Sequence, residues 1–270
     1  MNVNHHHPAA SNYYRSLYFS DKMNIAIITG ASSGLGYDFA KQIDSSYRLD
    51  EIWLIARRRE RLVKLSKELK TKVRVLDLDL TKDKDLERIR SALAKEKPIV
   101  RLLVNNAGYG PLGEFTNVAK EMYLNMMKLN MDAVVELTYD CLQFMEKGCA
   151  IIQVASSVGF IPMPRFSIYA ASKAFVLSFS NSLYVELKKK GIHVLAVCPG
   201  AVKTEFFQVA KSNMNRGARS SDVVRKALRD CRKKRIISVY GAKTNISLLI
   251  AKFLPRRWLL AMVERASKSF

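Results

Sequence analysis

Tyr169 and Lys173 stand four residues apart in Ser167-Ile168-Tyr169-Ala170-Ala171-Ser172-Lys173. In a helix this spacing puts both side chains on one face, one turn apart. A phenol titrates near about 10, too high for ready proton exchange around neutrality. A cation one turn away favours the phenolate and draws that value toward working pH. Such a pair suits proton transfer to or from an alcohol or carbonyl oxygen. Tyrosine and lysine four apart also occur on ordinary helix surfaces, so catalysis requires partners elsewhere in the chain.

A second constellation lies near the beginning. Residues 24–29 form a short apolar run rich in β-branched side chains, which predicts a buried strand. Gly30-Ala31-Ser32-Ser33-Gly34-Leu35-Gly36 follows at once and leads into a helical stretch over 35–46. Strand, glycine turn and helix N-terminus together make a phosphate-binding corner. The spacing is G-x-x-x-G-x-G rather than the commoner G-x-G-x-x-G, and a glycine turn can also be purely structural. A second strand over 51–56 runs into Arg57-Arg58-Arg59. At that strand end an acid would bind a ribose 2′-hydroxyl, whereas arginine accommodates a 2′-phosphate. Arg57 therefore favours NADP(H) over NAD(H), while Arg58, Arg59 and Arg61 read as helix-surface charge. Asp79 is placed to accept from an adenine amino group, and Thr81 to cap the next helix.

The elements that must position these residues alternate. Further strands are expected at 72–81 (including the exit), 100–104, 150–155, 192–197 and 236–240. Helices are expected at 57–70, 117–145, 169–190 and 221–234. The pattern predicts an α/β fold, a doubly wound parallel sheet of Rossmann type with about seven strands. Asn130 sits inside the long 117–145 helix, where a mediocre helix former facing the sheet implies a polar task. The loop 158–166 carries Pro162 and Pro164. The polar segment 205–219, anchored by Phe206, Phe207 and Met214, reads as a candidate lid. His193 reads as a packed strand residue, and Met122, Met126 and Met127 as part of a packed or oligomerising helix.

Together these features resemble the classical short-chain dehydrogenase/reductases. The resemblance spans residues 23–240 and rests on Thr29-Gly30-x3-Gly34-x-Gly36, Asn105-Asn106-Ala107-Gly108, Asn130, Ser156, Tyr169-x3-Lys173 and Pro199-Gly200. Ser156 is preferred to Ser157 because it lies thirteen residues before Tyr169. The resemblance implies Tyr169 as general acid or base and Ser156 as hydrogen-bond donor to the substrate oxygen. It implies Lys173 on the nicotinamide ribose, lowering the tyrosine pKa together with the oxidised nicotinamide, and Asn130 holding a relay water. The implied cofactor contacts are Gly30, Ser32, Ser33, Gly34, Leu35, Gly36, Arg57, Asp79, Leu80, Asn106, Ala107, Gly108, Tyr169, Lys173, Pro199, Gly200, Val202 and Thr204. No metal is expected. Many NADP-preferring relatives carry a basic residue where this chain has Ser33, so the preference rests on Arg57, with Ser32 beside it.

The implied substrate is a small-molecule carbonyl or alcohol. Tyr109 and the 157–166 and 205–219 segments favour a hydrophobic one. A homo-oligomer, dimer or tetramer, is also implied. The alternatives are a non-catalytic NADP-binding regulator, an epimerase with the same Tyr-x3-Lys pair, or a nucleic-acid binder. Retention of all four polar residues argues against the regulator. The glycine spacing argues against the epimerase, and only charge supports nucleic acid.

That charge is a formal +21, and from Asn215 onward fifteen Lys/Arg face three Asp/Glu. The chain divides into a leader at 1–22, a core at 23–244 and a basic amphipathic helical extension at 245–270. In the extension, Ile246, Leu248, Leu249, Ile250, Phe253 and Leu254 are followed by Pro255-Arg256-Arg257-Trp258, which fits either peripheral membrane contact or packing on the core or a second subunit. The leader, with His5, His6 and His7, lacks a signal-peptide core and is assigned no function. Cys141, Cys149, Cys198 and Cys231 are far apart in sequence and read as reduced, buried thiols. With no run of eighteen uncharged apolar residues, a cytoplasmic protein is expected.

Overall fold

The computed structural model describes residues 22–206 and 217–267. The leader before Lys22, together with Phe207 and Met214, lies outside the described residues. Strands β1 (Asn24–Thr29), β2 (Glu51–Ala56), β3 (Lys72–Asp77), β4 (Ile99–Asn105), β5 (Ala150–Val154) and β6 (His193–Val197) form a sheet with a short last strand, β9 (Ile237–Ser238). Two further short strands, β7 (Val202–Lys203) and β8 (Ala218–Arg219), pair with each other. The large sheet has seven strands, all parallel, in the order β3-β2-β1-β4-β5-β6-β9. The order in which the chain adds strands switches from one edge to the other between β1 and β4. The crevice at their carboxyl ends is where an open α/β sheet binds ligands.

Alternation along each strand divides the core into two layers. Ala26, Ile28, Leu54, Leu102, Val104 and Ile152 face α1 (Gly34–Ser46), α2 (Arg59–Ser66) and α7 (Ser220–Arg232). Ile25, Ile27, Trp53, Leu103, Ile151 and Val194 face α3 (Asp83–Glu96), α5 (Ala133–Leu142) and α6 (Ser167–Lys188). Burying each of the Val, Leu and Ile side chains stabilises the fold by about 1.5–3 kcal/mol. All four cysteines are buried and none forms a disulfide.

Several boundaries differ from the sequence expectation. The helix expected at 57–70 is shortened to α2, leaving Arg57 and Arg58 on the preceding turn. Thr81 does not cap α3, which begins at Asp83 behind Lys82; Thr81 instead donates to Asp79. The helix expected over 117–145 is broken. It comprises α4 (Lys120–Met127), a π-helical turn (Lys128–Asp132) and α5. The last strand is limited to Ile237–Ser238.

The C-terminal extension starts at Ala242 and forms two helices, α8 (Ala242–Phe253) and α9 (Arg256–Ser267). Pro255 separates them, suited to a helix start because it lacks an N–H. Leu259 and Val263 are buried, α8 lies on the turn over Ser157–Phe160, and Arg165 donates to the Ser267 carbonyl at 3.3 Å. The extension therefore packs on the core in part. No helix among the described residues is long and apolar enough to cross a membrane.

Candidate active site

The glycine corner leaves β1 with Gly30 at φ +66° and Gly34 at φ +54°, a left-handed conformation that glycine adopts without strain. At Gly36 a Cβ would come within 2.2 Å of the Gly30 carbonyl oxygen, so this turn closes only without a side chain. Thr29 Oγ1 accepts from the backbone N–H groups of Asn106 and Ala107, each at 2.9 Å. Asn106 Nδ2 donates back to the Thr29 carbonyl at 2.9 Å. The exits of β1 and β4 are thus held together, and Gly108 follows directly. Gly34 packs on Thr204, whose Cγ2 would lie 2.9 Å from an added Cβ.

At the end of β5, the Ser156 hydroxyl accepts from the Val158 N–H at 3.3 Å and lies 3.5 Å from the Pro199 carbonyl. The Ser157 N–H donates to that same carbonyl at 2.9 Å, joining the exits of β5 and β6. Helix α6 begins at Ser167 and carries Tyr169 and Lys173 inward, both buried. The Tyr169 ring stacks on Phe166 at 4.3 Å and tilts against Phe206 at 5.3 Å, measured between centroids. Gly110 allows the loop after β4 to cross this ring; a Cβ there would meet Tyr169 Cδ2 at 2.4 Å. Lys173 Nζ donates to the Val154 carbonyl at 2.8 Å.

Asn130 lies in the π-helical turn and is fully buried. Such turns are rare and recur at functional sites. Its Oδ1 accepts from the Tyr109 N–H at 3.2 Å, and its Nδ2 donates to the Tyr109 carbonyl at 3.0 Å and to Ser172 Oγ at 3.1 Å. Ser172 Oγ in turn donates to the Tyr169 carbonyl at 2.8 Å. A Cβ at Gly108 would lie 2.9 Å from Asn130 Oδ1 and 3.4 Å from Lys173 Nζ, so one glycine brings the β4 exit between these two side chains.

Burial governs the electrostatics. It raises the Tyr169 phenol well above its ordinary value, against a lowering hydrogen bond with Ser156. It lowers the Lys173 amine to about 8, with Cys198 acting in the opposite sense. In the protein alone, burial therefore raises the phenol, where the Tyr169–Lys173 spacing predicts a lowering. Burial also raises Asp79, but its hydrogen bonds from Thr81 prevail and hold the carboxyl below its usual range, with Arg57 contributing.

The expected residues lie at or just beyond the carboxyl ends of the strands, on either side of the junction between β1 and β4. Gly30, Ser32, Ser33, Gly34, Leu35 and Gly36 form one wall at the start of α1, whose first turn holds no acid. Asn106, Ala107 and Gly108 leave β4 beside it, and Asp79 and buried Leu80 leave β3. Pro199 and Gly200 follow β6, and Val202 lies on β7 just before Thr204. The corner fits a dinucleotide: side chains are absent where the backbone must approach phosphate, and N–H groups and cations face it.

Arg57 is exposed on the turn after β2, whereas Arg58 is the arginine that reaches the glycine corner. Its NH2 donates to Ser32 Oγ at 3.1 Å and to Ser33 Oγ at 2.9 Å. Sequence reading assigned Arg58 to a helix surface and gave no role to Ser172, Thr29 or Glu205. Ser172, next to Lys173 and one turn from Tyr169, carried a spacing signal; Arg58 carried none beyond lying next to Arg57. His193 is buried at the opposite, amino end of β6 with its ring edge against Tyr184, as expected of a packed residue.

The sequence profile of the short chain dehydrogenase family matches residues 24–215. Sulfoacetaldehyde reductase 2 of Chromohalobacter salexigens is 34% identical over 196 residues, covering 69% of this chain and 75% of that protein. Human 17-beta-hydroxysteroid dehydrogenase type 3 is 32% identical over 199 residues, covering 70% of this chain and 62% of that protein. A short-chain dehydrogenase from Sphingobium yanoikuyae, solved in complex with NADPH, superposes with a TM-score of 0.75 at 29% identity, covering 88% of this chain and 96% of that one.

Proposed function

This chain belongs to the short-chain dehydrogenase/reductase family of oxidoreductases, and on that premise we propose that it transfers hydride between NADP(H) and the carbonyl or secondary alcohol of a hydrophobic substrate. The observation that carries this reading is the buried meeting of Tyr169, Ser156 and Lys173 beside a glycine corner, with Asn130 linked to them through Gly108 and Ser172. A bound nicotinamide nucleotide supplies the hydride. Tyr169 gives a proton to the substrate oxygen in reduction and takes it back in oxidation. Ser156 hydrogen-bonds that oxygen as charge develops on it. Lys173 holds the nicotinamide ribose, and an amine titrating near 8 exchanges protons readily at neutral pH. Asn130 orients the path from Lys173 toward solvent.

The NADP(H) preference is supported by Arg57 and Arg58 after β2, Arg58 reaching the glycine corner. The hydrophobic substrate is supported by Phe166 and Phe206 around Tyr169. The steroid named in the human relative fits this reading; the small charged aldehyde named in the bacterial one does not. A panel of ketones, aldehydes and acyl thioesters, followed by NADPH absorbance, tests the substrate class. Equal or better kcat/KM with NADH contradicts the cofactor preference.

Two surfaces extend the reading beyond the active site. Val135, Tyr139 and Val185 are exposed on α5 and α6 and suit contact with a second copy of the chain. On the extension, Phe253 is 76% and Trp258 72% exposed, with Lys252, Arg256 and Arg257 beside them, as suits an anionic bilayer surface. Flotation with phosphatidylserine vesicles that is lost on Phe253→Ser with Trp258→Ser supports the membrane contact. Flotation unchanged by both substitutions removes it.

A further inference from the structure

Glu205 follows Thr204 at the edge of the nucleotide corner, more than a hundred residues in sequence from the side chains it meets. Its carboxylate accepts from Arg58 NH1 at 2.7 Å and also pairs with Arg61. The opposite edge of the Arg58 guanidinium faces Ser32 and Ser33, with Nε 3.3 Å from Ser32 Oγ and NH2 2.9 Å from Ser33 Oγ. The two arginines hold the Glu205 carboxyl below its usual range, Arg61 foremost. Glu205 is thus an anion at neutral pH, seated on the guanidinium that reaches the glycine corner.

We propose that Glu205 is an internal competitor for a nucleotide 2′-phosphate: it occupies Arg58 and Arg61 until the phosphate displaces it, and so sets how strongly the site discriminates 2′-phosphate from 2′-hydroxyl. This rests on the NADP(H) reading above. A guanidinium offers donors on more than one edge, and carboxylate or phosphate can fill either in the same way. A phosphate on the Ser32 and Ser33 edge of Arg58 brings two anions to one cation, and the weaker ligand is pushed off. The pairs are partly exposed, so their exchange for another anion costs little. A free 2′-hydroxyl carries no charge and leaves Glu205 in place. The carboxylate therefore opposes binding of the phosphorylated nucleotide alone.

The test is calorimetric titration of the full-length chain and its Glu205→Gln variant with adenosine 2′,5′-bisphosphate and with ADP. ADP also carries two phosphates, with somewhat less negative charge, and has both on the 5′ side. Glu205→Gln is expected to tighten the bisphosphate by about 2–5-fold, the effect of losing one partly exposed ion-pair competitor. The gain should shrink with added salt, and ADP should change by less than about twofold. Glu205→Ser, too short to reach Arg58, should behave alike. Unchanged or weaker bisphosphate binding, or an equal gain for ADP, overturns the proposal. If the wild type prefers the bisphosphate and neither variant alters that, only the role of Glu205 fails. If no protein distinguishes the two nucleotides, the NADP(H) reading fails and the proposal with it.

Discussion

Gly108 and Asn130 lie in contact: a Cβ on Gly108 would stand 2.9 Å from Asn130 Oδ1, inside the normal limit for carbon and oxygen. Because Asn130 also holds both backbone groups of Tyr109, the β4 exit and the π-helical turn form one unit. Gly108→Ala must push Asn130 aside or shift the loop. Activity is expected to fall at least about tenfold, as misplacement near reacting groups does, while stability drops by only about 1–3 kcal/mol. Steady-state kinetics with thermal unfolding checks this. Full activity in Gly108→Ala contradicts the packing argument.

The buried His193 predicts a pH dependence of stability. Burial, then the charge of Lys234, lowers its pKa to about 4, against the raising effect of a hydrogen bond it donates to the Arg235 backbone carbonyl. The unfolded chain protonates this imidazole near about 6.5. Between those values the unfolded state binds more protons, so stability falls as pH drops from about 6.5 to 4. Thermal unfolding across this range is expected to lose less in His193→Gln than in the wild type. Parallel curves contradict it. Activity should be retained near neutrality, since His193 lies at the far end of β6.

Glu51 predicts a stability effect remote from chemistry. It is buried at the start of β2, accepting from Trp53 Nε1 at 2.7 Å and pairing with Arg74 at 2.9 Å and Lys72 at 3.2 Å. Arg74 also covers the Trp53 ring, 4.5 Å from its centroid. Glu51→Ala strands the indole N–H and weakens the hold on Arg74. The expected cost is about 2–3 kcal/mol, below the figure for a fully buried pair because both cations reach water. Urea denaturation measures it. A change under about 0.5 kcal/mol would mean that water replaces the carboxylate without penalty.

Strand positions were legible because apolar, β-branched runs between glycine-rich turns have few other uses; 24–29 and 51–56 match β1 and β2 residue for residue. Tyr169 and Lys173 were legible because helical spacing alone puts them together. Asn130 stood out as a poor helix former, yet its π-helical turn did not, since that turn depends on Tyr109 and Ser172 from other elements. Arg58 and Glu205 were missed for the same reason. Their pairing joins residues 147 apart, and no local pattern separates Arg58 from its two arginine neighbours. The break inside the 117–145 helix and the short last strand likewise follow from tertiary packing.

The central claim is that Tyr169 moves the proton. NADPH consumption with a ketone substrate, followed at 340 nm for wild type and Tyr169→Phe, tests it most directly. The ring and its stacking on Phe166 survive that change, so only the hydroxyl is lost. A kcat lower by about 10²–10⁴-fold is expected, with nucleotide affinity little altered. Turnover undiminished in Tyr169→Phe would contradict it.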